Sequence, residues 1–460
     1  MKEPVTILGA GCTGPLLAVL LAKRGHRVRI YERRPDARRV QLAAGRSINL
    51  ALAARGLAGL ERAGLLDAVR PLLVPMRGRR LHDLDGSTRF LPYGQRPHEQ
   101  LYSVGRAPLN HVLTDAAEAH GVELLFEHAC RDADFARGLI RVEDLRQGAV
   151  RELRLADAPV FGADGAGSAL RGAMVRAGLG SAREERLAHD YKELNIPAGA
   201  DGRWRMDPHA LHIWPRGGYM LIALPNTDGS FTATLFLAAE GPAPSFASLE
   251  AGGPAAVREL FAREFPDALA LMPNLEIEWA ANPAGHMATL YAAPWQVDGR
   301  ALLVGDAAHA IVPFHGQGMN CAFEDCRVID DLLEAGCDWG RCFARFDALR
   351  RDDCAAIARM AIENYVEMRD TVRDPRFALA KELSLELERR HPERFIPRYS
   401  MVMFHAEIPY AEAERRGVAQ AAILERLTRD ARTPDAVDWA QAARLVDESL
   451  PRLRAHATGT

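Results

Sequence analysis

The run Gly9-Ala-Gly-Cys-Thr-Gly14 constrains this chain more than any other feature, because of what stands on either side of it. A short apolar strand pattern, Val5 to Leu8, comes directly before it, and a helical pattern, Leu16 to Arg24, follows. A second strand pattern, Arg27 to Tyr31, then ends in Glu32. In this order the glycines permit a tight turn and let backbone amides at a helix N-terminus approach a pyrophosphate, while the acid accepts a hydrogen bond from a ribose hydroxyl. The sequence therefore predicts a βαβ unit that binds a dinucleotide through Gly9, Gly11, Gly14 and Glu32.

A second stretch, residues 304–320, also joins a strand to a helix through glycines. The apolar residues 301–304 are followed at once by Gly305 and Asp306, and a helical pattern begins near Asn320. The loop between them contains glycines at 316 and 318 and a proline at 313. A helix N-terminus reached through such a loop favours an anionic or electron-rich ligand. We interpret this loop as the place where a flavin ring lies.

The middle of the chain has the pattern of an antiparallel sheet. Three strand patterns, residues 211–214, 219–224 and 230–237, are separated by Arg-Gly-Gly and Asn-Thr-Asp-Gly turns. Alternation places Leu211 and Ile213 on one face of their strand, and Met220, Ile222 and Leu224 on one face of the next. These faces are either ordinary sheet core or an apolar wall over a planar ligand, and the sequence leaves both readings open. An Ala/Gly/Pro-rich stretch follows at 238–255, which we interpret as a linker.

The remainder of the chain, after residue 320, has helical patterns. On residues 352–369, Ile357, Met360, Ala361 and Met368 share one helical face with a single polar residue, Asn364. If it is buried, Asn364 needs polar partners, either in a neighbouring loop or on a ligand. A second apolar segment, residues 395–404, contains one tyrosine, Tyr399.

Length and composition exclude several classes of protein. A chain of 460 residues is long enough for two or three domains. The net charge of −3 argues against a nucleic-acid surface. The seven cysteines form no C-x-x-C pair and no histidine cluster has metal-ligand spacing, so we expect reduced thiols, no metal and a cytoplasmic location. A strand begins by residue 5 and no run of 18 apolar residues occurs, so we expect neither a signal peptide nor a membrane anchor.

Three motifs together resemble the flavoprotein aromatic hydroxylases of the 4-hydroxybenzoate hydroxylase type: residues 9–14 with Glu32, the segment Gly162-Ala-Asp-Gly165, and Gly305-Asp306. The resemblance implies that Asp306 bonds the flavin ribityl chain and that residues 318–320 lie beside the isoalloxazine. It also places Arg106 near the pyrophosphate and gives Asp164 a role with both FAD and NADPH. The cofactor-binding residues so implied are Gly9, Gly11, Gly14, Glu32, Arg33, Arg46, Asn49, Arg106, Asp164, Gly305, Asp306, Gly318, Met319 and Asn320.

A longer likeness, from residue 5 to about 410, is to the branch of this family that hydroxylates L-kynurenine. It rests on the segments Glu32-Arg-Arg-Pro35, Gly45-Arg-Ser-Ile-Asn-Leu-Ala-Leu52, Met76-Arg-Gly-Arg79, Pro92-Tyr-Gly94, Leu211-His-Ile-Trp-Pro215, Ile222-Ala-Leu-Pro-Asn226, Val312-Pro-Phe-His-Gly-Gln-Gly-Met-Asn320, Glu363-Asn-Tyr-Val-Glu-Met368 and Phe395-Ile-Pro-Arg-Tyr399. The likeness implies an FAD-dependent monooxygenase that uses NADPH and O₂ to make 3-hydroxykynurenine through a flavin C4a-hydroperoxide. Such a step belongs to tryptophan catabolism on the route to quinolinate and pyridine nucleotides.

The same likeness assigns the residues of the substrate site. Arg79 and Tyr93 resemble the pair that holds the substrate carboxylate, and Asn364 and Tyr399 resemble the polar groups of the opposite wall. The implied lining consists of Leu211, Ile213, Met220, Ile222, Leu224, Phe236, Pro313, Phe314, His315, Gln317 and Met368. His315 is the obvious candidate for a general base, but the aniline nitrogen of kynurenine already activates the ring, so we favour a packing role.

The implied fold is an α/β Rossmann-like FAD-binding domain with an inserted antiparallel β-sheet substrate domain and a C-terminal helical region. We expect the FAD-binding domain at 1–72, 100–178 and 286–350, the substrate domain at 73–99 and 179–285, and the helical region at 351–460. No second dinucleotide motif occurs, so NADPH must bind a shallower surface, and no phosphate-binding cluster in the sequence distinguishes NADPH from NADH. The sequence does not decide the oligomeric state, a homodimer included.

Two alternatives stay open at this point. A hydroxylase of the same fold acting on another aromatic acid would not be stimulated by kynurenine. A flavin-binding protein of another class, such as a sensor or a dehydrogenase, would bind FAD without coupled uptake of O₂.

Overall fold

A parallel sheet forms the first layer of the computed structural model, which describes residues 4–40, 49–370 and 374–453. In that part of the chain the sheet has six strands in the order β18-β19-β12-β1-β2-β8, and only β18 runs antiparallel to its neighbour. The strands are β1 (Val5–Leu8), β2 (Val28–Glu32), β8 (Glu123–Phe126), β12 (Val160–Gly162), β18 (Gln296–Val297) and β19 (Ala301–Leu303). Near-continuous apolar residues, such as Ala301–Leu303, form these strands because helices cover both faces of a parallel sheet.

Helices pack against this sheet and share its core. They are α1 (Thr13–Lys23), α2 (Ala54–Ala63), α3 (Leu66–Val69), α4 (Arg106–Ala119), α5 (Ala169–Arg176), α9 (Asp306–His309) and α10 (Gly318–Glu334). Helix α1 lies between α4 and α10, which brings the loop before α10 close to the glycine turn before α1.

Two small antiparallel sheets flank the parallel one. The first contains β9 (His128–Asp134), β10 (Leu139–Asp144) and β11 (Val150–Arg154). The second contains β3 (Asn49–Leu52), β4 (Val74–Met76) and β7 (Leu101–Gly105).

A larger, mostly antiparallel sheet forms the second layer. Its order across the described residues is β17-β13-β16-β15-β14-β5-β6, with β14 and β5 parallel. The strands are β5 (Gly78–His82), β6 (Thr88–Pro92), β13 (Ser181–Ile196), β14 (Ala210–Pro215), β15 (Met220–Pro225), β16 (Phe231–Ala238) and β17 (Gly285–Ala293). One face packs against α6 (Phe246–Glu264), α7 (Pro266–Leu269) and α8 (Leu275–Ala281). The other face turns towards the first layer and towards the long helix α11 (Trp339–Arg369).

The C-terminal part is helical. It contains α11 (Trp339–Arg369), α12 (Pro375–Arg390), α13 (Arg398–Phe404), α14 (Tyr410–Asp430) and α15 (Trp439–Ser449), with 3₁₀ turns at Arg70–Leu72, Pro313–His315 and Pro434–Ala436 along the chain. Helices α12, α14 and α15 share an apolar core of their own. Helix α13 instead packs towards the larger sheet through Met403. No helix in the described ranges is both long and apolar enough to span a bilayer.

The predicted fold class is confirmed: a Rossmann-like sheet, an inserted antiparallel sheet and a helical C-terminal region. Two local predictions differ from the structure. The stretch 238–255, interpreted as a linker, is helical from Phe246, because Ser245 and Ser248 form a reciprocal capping box that starts α6 despite its glycines. Strand β17, whose sequence falls within the range 286–350, pairs with β13 in the larger sheet.

Candidate active site

A cavity of about 710 Å³ lies between the carboxyl edge of the parallel sheet and the inner face of the larger sheet. One end is lined by the glycine turn and by Glu32 and Arg33. The other end is lined by Arg79, Tyr93 and Tyr399. Ligands of open α/β sheets bind beyond the carboxyl ends of the strands, so this is the position where a dinucleotide is expected.

The glycine turn is built for close contact with a ligand. A side chain at Gly14 would overlap the carbonyl oxygen of Gly9, whereas a side chain at Gly11 would point into open space in the cavity. Cys12, at the start of α1, makes no side-chain hydrogen bond to the first turn of the helix, so the amides there face the cavity without a side-chain cap. This geometry suits a pyrophosphate at the N-terminus of α1.

Glu32 is fixed at the end of β2 by two backbone amides. Its Oε2 accepts from the amide of Ala10 at 2.7 Å and its Oε1 from the amide of Arg34 at 2.9 Å. The carboxylate lines the cavity next to Arg33 and retains lone pairs for a ribose hydroxyl.

Asp164, Asp306 and Arg106 also line this half of the cavity. Asp164 accepts through Oδ2 from the amide of Ala169 at 2.7 Å, while its buried Oδ1 has no partner among the described residues. Burial raises the pKa of Asp164, which hydrogen bonds from Ser168 and Ala169 only partly offset. An orphaned buried acceptor of this kind fits the hydroxyl groups of a cofactor.

The loop before α10 presents backbone and the side chains of Asp306 and His315 to the cavity. Gly318 and Met319 line the cavity at the uncapped N-terminus of α10. Asn320 instead fixes the loop: its Oδ1 accepts from the amide of Ala53 at 2.8 Å, and its Nδ2 donates to the carbonyl of Gly316 at 2.7 Å. The residues around this half of the cavity therefore fit an FAD molecule, and the helix N-terminus would favour its reduced, anionic form.

At the other end of the cavity, Arg79 is a buried cation with incomplete partners. Its Nη1 is 3.2 Å from Oε1 of Glu367 and its Nη2 is 3.4 Å from Oδ1 of Asn364. Its Nε is buried with no hydrogen-bond partner among the described residues. Lys381 lies nearby, and burial, reinforced by the charge of Arg79, lowers the pKa of this lysine to about 8. The two cations outnumber Glu367, so this end attracts a carboxylate.

Three rings complete the polar end. The rings of Tyr93 and Tyr399 stack with centroids 5.6 Å apart, and His315 stacks on Tyr399 at 5.5 Å. The guanidinium of Arg79 lies 4.8 Å from the centroid of the Tyr399 ring. The Tyr93 hydroxyl is buried with no hydrogen-bond partner within the described ranges, and burial raises the pKa of Tyr93 well above its ordinary value. It therefore stays protonated and can donate to a ligand.

Burial lowers the pKa of His315 to about 3, and the nearby charges of Arg79 and Arg398 add to the effect. Its imidazole is neutral at physiological pH and only weakly basic. The neutral ring packs beside Tyr399 and carries no charge.

Between the two ends the cavity has an apolar wall. The predicted lining residues found there are Leu211, Met220, Ile222, Leu224, Phe236, Pro313, Phe314 and Met368. Phe314 stacks on Tyr365 with ring centroids 3.8 Å apart and contacts Phe236 at 4.9 Å. This packing makes the wall between the two ends mainly apolar, with Thr234 opposite Ile222 as a polar neighbour.

The structure brings most of the predicted site residues to one cavity, but it places six of them behind its wall. Ile213 is fully buried and packs against Met220, Phe236 and Phe314, because it lies deeper along β14 than Leu211. Asn364 donates to the carbonyl of Phe314 at 2.6 Å and accepts from Arg79, so it supports the wall and the cation. The others, which hold the two loops from behind, are Gln317, Gly14, Gly305 and Asn320. Arg46 lies outside the described residues.

Several lining residues were missed by the sequence analysis. Met403 lies one helical turn after Tyr399 on α13, so the apolar segment that contains both could have identified it. Tyr191 and Met287 lie on β13 and β17, strands that the sequence patterns did not define. No local sequence signal separates these two from ordinary sheet residues.

Comparisons with known proteins agree with this geometry. A family model described as "FAD binding domain" matches residues 2–335. A kynurenine 3-monooxygenase of Xanthomonas axonopodis pv. citri is 48% identical over 452 residues, which cover 98% of each chain. A kynurenine 3-monooxygenase of Myxococcus xanthus is 45% identical over 460 residues, covering 100% of this chain and 98% of its own.

Solved structures with the same fold are more distant. A tetrameric form of 2-methyl-3-hydroxypyridine-5-carboxylic acid oxygenase superimposes with a TM-score of 0.64 at 21% identity, covering 81% of this chain and 94% of its own. A p-nitrophenol 4-monooxygenase from Pseudomonas putida has a TM-score of 0.64 at 18% identity, covering 84% of this chain and 94% of its own. At these identities the likeness concerns the fold alone.

Proposed function

The chain belongs to the kynurenine 3-monooxygenase family of FAD-binding proteins, and from that premise we propose how its cavity hydroxylates L-kynurenine. The reaction is L-kynurenine + NADPH + H⁺ + O₂ → 3-hydroxykynurenine + NADP⁺ + H₂O. Bound FAD supplies the redox chemistry, since it accepts a hydride from NADPH and activates O₂ for transfer of one oxygen atom to the ring. The protein holds the substrate, excludes water and fixes the cofactor.

The observation that carries the proposal is the buried cation Arg79 at the end of the cavity opposite the glycine turn. An α-amino acid substrate has a carboxylate, and a guanidinium pairs with a carboxylate through two parallel hydrogen bonds. The free Nε of Arg79 and the unpartnered hydroxyl of Tyr93 supply the donors such a group needs. We assign Arg79, Tyr93 and Tyr399 to the substrate carboxylate end, with Asn364 supporting Arg79 from behind.

The apolar wall suits the aromatic ring of the substrate. A carboxylate held at Arg79 directs the rest of the molecule along Leu211, Ile222 and Phe236 towards the loop before α10. Water in that region would divert the activated oxygen into hydrogen peroxide, so a dry wall favours hydroxylation. The aniline nitrogen makes the adjacent ring carbon nucleophilic, and a protein base is therefore not required. The low pKa of His315 supports its assignment to packing rather than to proton transfer.

We assign the cofactor to the residues that surround the other half of the cavity. The α1 N-terminus at Gly11 would hold the pyrophosphate, Glu32 a ribose, and Asp306 the ribityl chain. Gly318 and Met319 would lie beside the ring, and Asp164 and Arg106 near the rest of the cofactor.

We also retain the division into an FAD-binding domain, a substrate domain and a helical region, with one adjustment. The FAD-binding domain contains strands β1, β2, β8, β12 and β19, and the substrate domain contains β5, β6 and β13–β16. Because β17 pairs with β13, we move residues 286–293 into the substrate domain. The helical region reaches the site through Tyr399 and Met403.

The location proposed for this enzyme is the cytoplasm. Its seven cysteines are all free thiols, which is typical of a reducing compartment.

The experiment that tests the proposal compares NADPH oxidation by the FAD-loaded enzyme with and without L-kynurenine. We expect a large stimulation by kynurenine, with 3-hydroxykynurenine identified by mass in the amount of NADPH consumed. 4-Hydroxybenzoate and anthranilate serve as controls, because each has a carboxylate attached directly to the ring and cannot reach both Arg79 and the loop before α10. A larger stimulation by either control would identify a hydroxylase of another aromatic acid, and no stimulation by any of them would contradict monooxygenase activity.

A further inference from the structure

Two cysteine thiols face each other directly behind the loop that borders the cavity. Cys321 lies on α10 and Cys354 on α11, and their Sγ atoms are 3.3 Å apart. Both side chains are fully buried. The proposed hydroxylation uses neither of them.

Charged groups surround this pair closely. Nη2 of Arg350 lies 3.2 Å from Sγ of Cys321, and Nε of Arg350 lies 2.9 Å from Oδ1 of Asp325. Nε2 of His309 is 2.6 Å from Oδ2 of Asp325. Glu324 and Asp353 also pair with Arg350, at 2.8 and 3.0 Å.

These neighbours shift the pKa values of the two thiols in opposite directions. Burial by itself raises the pKa of Cys321, but the hydrogen bond with Cys354 and the positive charges of His309 and Arg350 lower it below that of a free thiol. Burial and the bond to Cys321 raise the pKa of Cys354 well above its ordinary value. Of the two, Cys321 is the thiol that loses its proton more readily, and Cys354 stays protonated beside it at a sulfur–sulfur distance of 3.3 Å. A thiolate with a neighbouring thiol is the chemical unit that peroxide converts into a disulfide.

We propose that Cys321 and Cys354 form a peroxide-responsive dithiol that closes to an intramolecular disulfide. The Cys321 thiolate attacks one oxygen of hydrogen peroxide, the O–O bond breaks, and the leaving hydroxide takes a proton to become water. The Cys354 thiol then attacks the resulting Cys321 sulfenic acid, forming the S–S bond and releasing a second water. Two thiols are oxidised and one peroxide is reduced, so the step needs no other reactant.

The pair lies close behind the cavity wall, near the place where the enzyme itself would release peroxide. Gly318, Met319 and Ala322 of α10 line the cavity, and Cys321 belongs to the same helical turns. An enzyme that combines NADPH with O₂ releases hydrogen peroxide whenever the oxygen atom is not transferred to substrate, and this source rests on the proposed function. The reactivity of the pair with added peroxide does not depend on the proposed function. An experiment can therefore contradict one proposal without contradicting the other.

A metal ion is the competing occupant of this cluster. The potential ligand atoms of His309, Cys321, Asp325 and Cys354 all lie within 4.8 Å of one another. The guanidinium of Arg350 already contacts both Cys321 and Asp325, however, and its charge opposes a second cation at the same place. The geometry therefore favours the dithiol.

The test treats the FAD-loaded enzyme with hydrogen peroxide, then denatures it in N-ethylmaleimide and digests it without reductant. We expect a peptide pair joined through Cys321 and Cys354 that is two hydrogens lighter than the sum of its reduced parts. We also expect the loss of two of the seven titratable thiols and their recovery with dithiothreitol. A protein that keeps all seven thiols, or loses Cys12 or Cys130 while the pair stays reduced, would overturn the proposal. One equivalent of tightly bound zinc in the purified protein would overturn it as well.

Two variants make the result specific. In Cys354→Ser we expect no crosslinked peptide and a sulfenic acid at Cys321 that dimedone traps during denaturation. Cys326→Ser is the matched control, since Cys326 is buried on the same helix but its Sγ bonds to the carbonyl of Thr13 instead. This control should form the disulfide to the same extent as the unmodified enzyme, and a loss of the crosslink in it would count against the assigned pair.

Discussion

At the scale of single residues, Arg79 shows how one side chain is prepared for a ligand by distant parts of the chain. It comes from β5, and Glu367 of α11 partly balances its charge. It also donates to the amide oxygen of Asn364 of α11, and Tyr399 of α13 covers its face. The remaining donors of this buried group are left for a ligand. A buried donor without an acceptor destabilises a folded protein unless a ligand supplies the acceptor.

We expect Arg79→Ala to raise the Kd of L-kynurenine for the FAD-loaded enzyme by about tenfold or more. Removal of one partner of a buried charge pair costs roughly 2–5 kcal/mol. Arg80→Ala is the matched control, since Arg80 points to the opposite face of β5 and pairs with Asp207 at 2.9 Å. Titration of the flavin absorbance with kynurenine measures both values. An unchanged Kd in Arg79→Ala, or an equal effect in Arg80→Ala, would remove Arg79 from the site.

His315 should not titrate within the working range of the enzyme. Its pKa is lowered to about 3, so the imidazole is already neutral at pH 5 and stays neutral to pH 8. We therefore expect His315→Ala to lose less than the roughly 100-fold in kcat that removal of a general base causes, and to leave the pH profile of kcat unchanged. Steady-state rates at several pH values test this. The disappearance of an ionisation near pH 6–7 in the variant would show that His315 takes part in proton transfer.

The site residues could be predicted unequally from sequence. Motif likeness named Arg79, Tyr93, Tyr399 and the apolar lining, and all of these except Ile213 line one cavity. It could not predict that Asn364 points behind the wall, where it donates to the carbonyl of Phe314. Sequence patterns do not indicate a hydrogen bond to the backbone of a loop that is distant in sequence.

At the scale of elements, two strand-loop-helix units converge on the cavity. The N-terminus of α1 follows the glycine turn and the N-terminus of α10 follows residues 305–317, and neither start is capped by its own N-cap side chain. Two helix N-termini directed at one cavity create a positive potential suited to a dianionic cofactor with an electron-rich ring.

Two glycines of the first turn should affect different properties: Gly14 the stability of the protein, and Gly11 the binding of FAD. We expect Gly14→Ala to lower the thermal midpoint of the FAD-free protein, because its new methyl group would overlap the Gly9 carbonyl. Gly11→Ala should leave that midpoint nearly unchanged, since its methyl group points into the open cavity, yet it should weaken FAD binding by an order of magnitude or more. Thermal unfolding and FAD titration separate the two effects. Normal FAD affinity in Gly11→Ala would contradict the placement of the pyrophosphate at this turn.

The elements themselves were largely readable from sequence, because periodicity decides them locally. Strands β1, β2 and β14–β16 and helix α1 fall where their patterns predict them within a few residues. The long strand β13 was not recognised, since its outer half is charged and exposed and lacks apolar alternation. Hydrogen bonds to β16 and β17 hold β13 in an extended conformation that its own sequence pattern does not predict.

At the scale of the whole molecule, a buried ionic network joins the cofactor-binding layer to the C-terminal helices. Arg55 of α2 bonds Glu324 of α10 and the carbonyl of Ile408, and its guanidinium lies 3.8 Å from the ring centroid of Tyr410 on α14. The Tyr410 hydroxyl donates to Oε1 of Gln317, directly before α10, at 2.7 Å. The C-terminal region is thereby tied to the loop that borders the cavity.

We expect Glu324→Gln to destabilise the FAD-loaded protein by roughly 3 kcal/mol, because it leaves Arg55 without its buried counter-charge and removes one of the carboxylates that pair with Arg350. Burial raises the pKa of Glu324, but Arg350 and Arg55 lower it more, so the net shift is downward. A carboxyl group with a lowered folded-state pKa contributes its stability above the unfolded value of about 4.3 and loses it as pH falls through the folded value. The stability of the unmodified protein should therefore fall more steeply below about pH 4 than that of the variant.

Urea unfolding between pH 3 and pH 8 at a fixed FAD concentration measures both effects. Glu334→Gln is the matched control on the same helix, since its side chain is largely exposed and its pair with Arg62 is a surface one. Equal losses in the two variants, or parallel pH dependences of Glu324→Gln and the unmodified protein, would contradict a stabilising role for the network.

The central claim is that this cavity transfers one atom of O₂ to the ring of L-kynurenine, and turnover under ¹⁸O₂ tests it most directly. With NADPH and L-kynurenine present, we predict 3-hydroxykynurenine that contains a single ¹⁸O atom, in an amount close to the NADPH consumed. The second labelled atom should appear in water. Product without the label, or NADPH oxidation that kynurenine does not stimulate and that yields only hydrogen peroxide, would contradict the account.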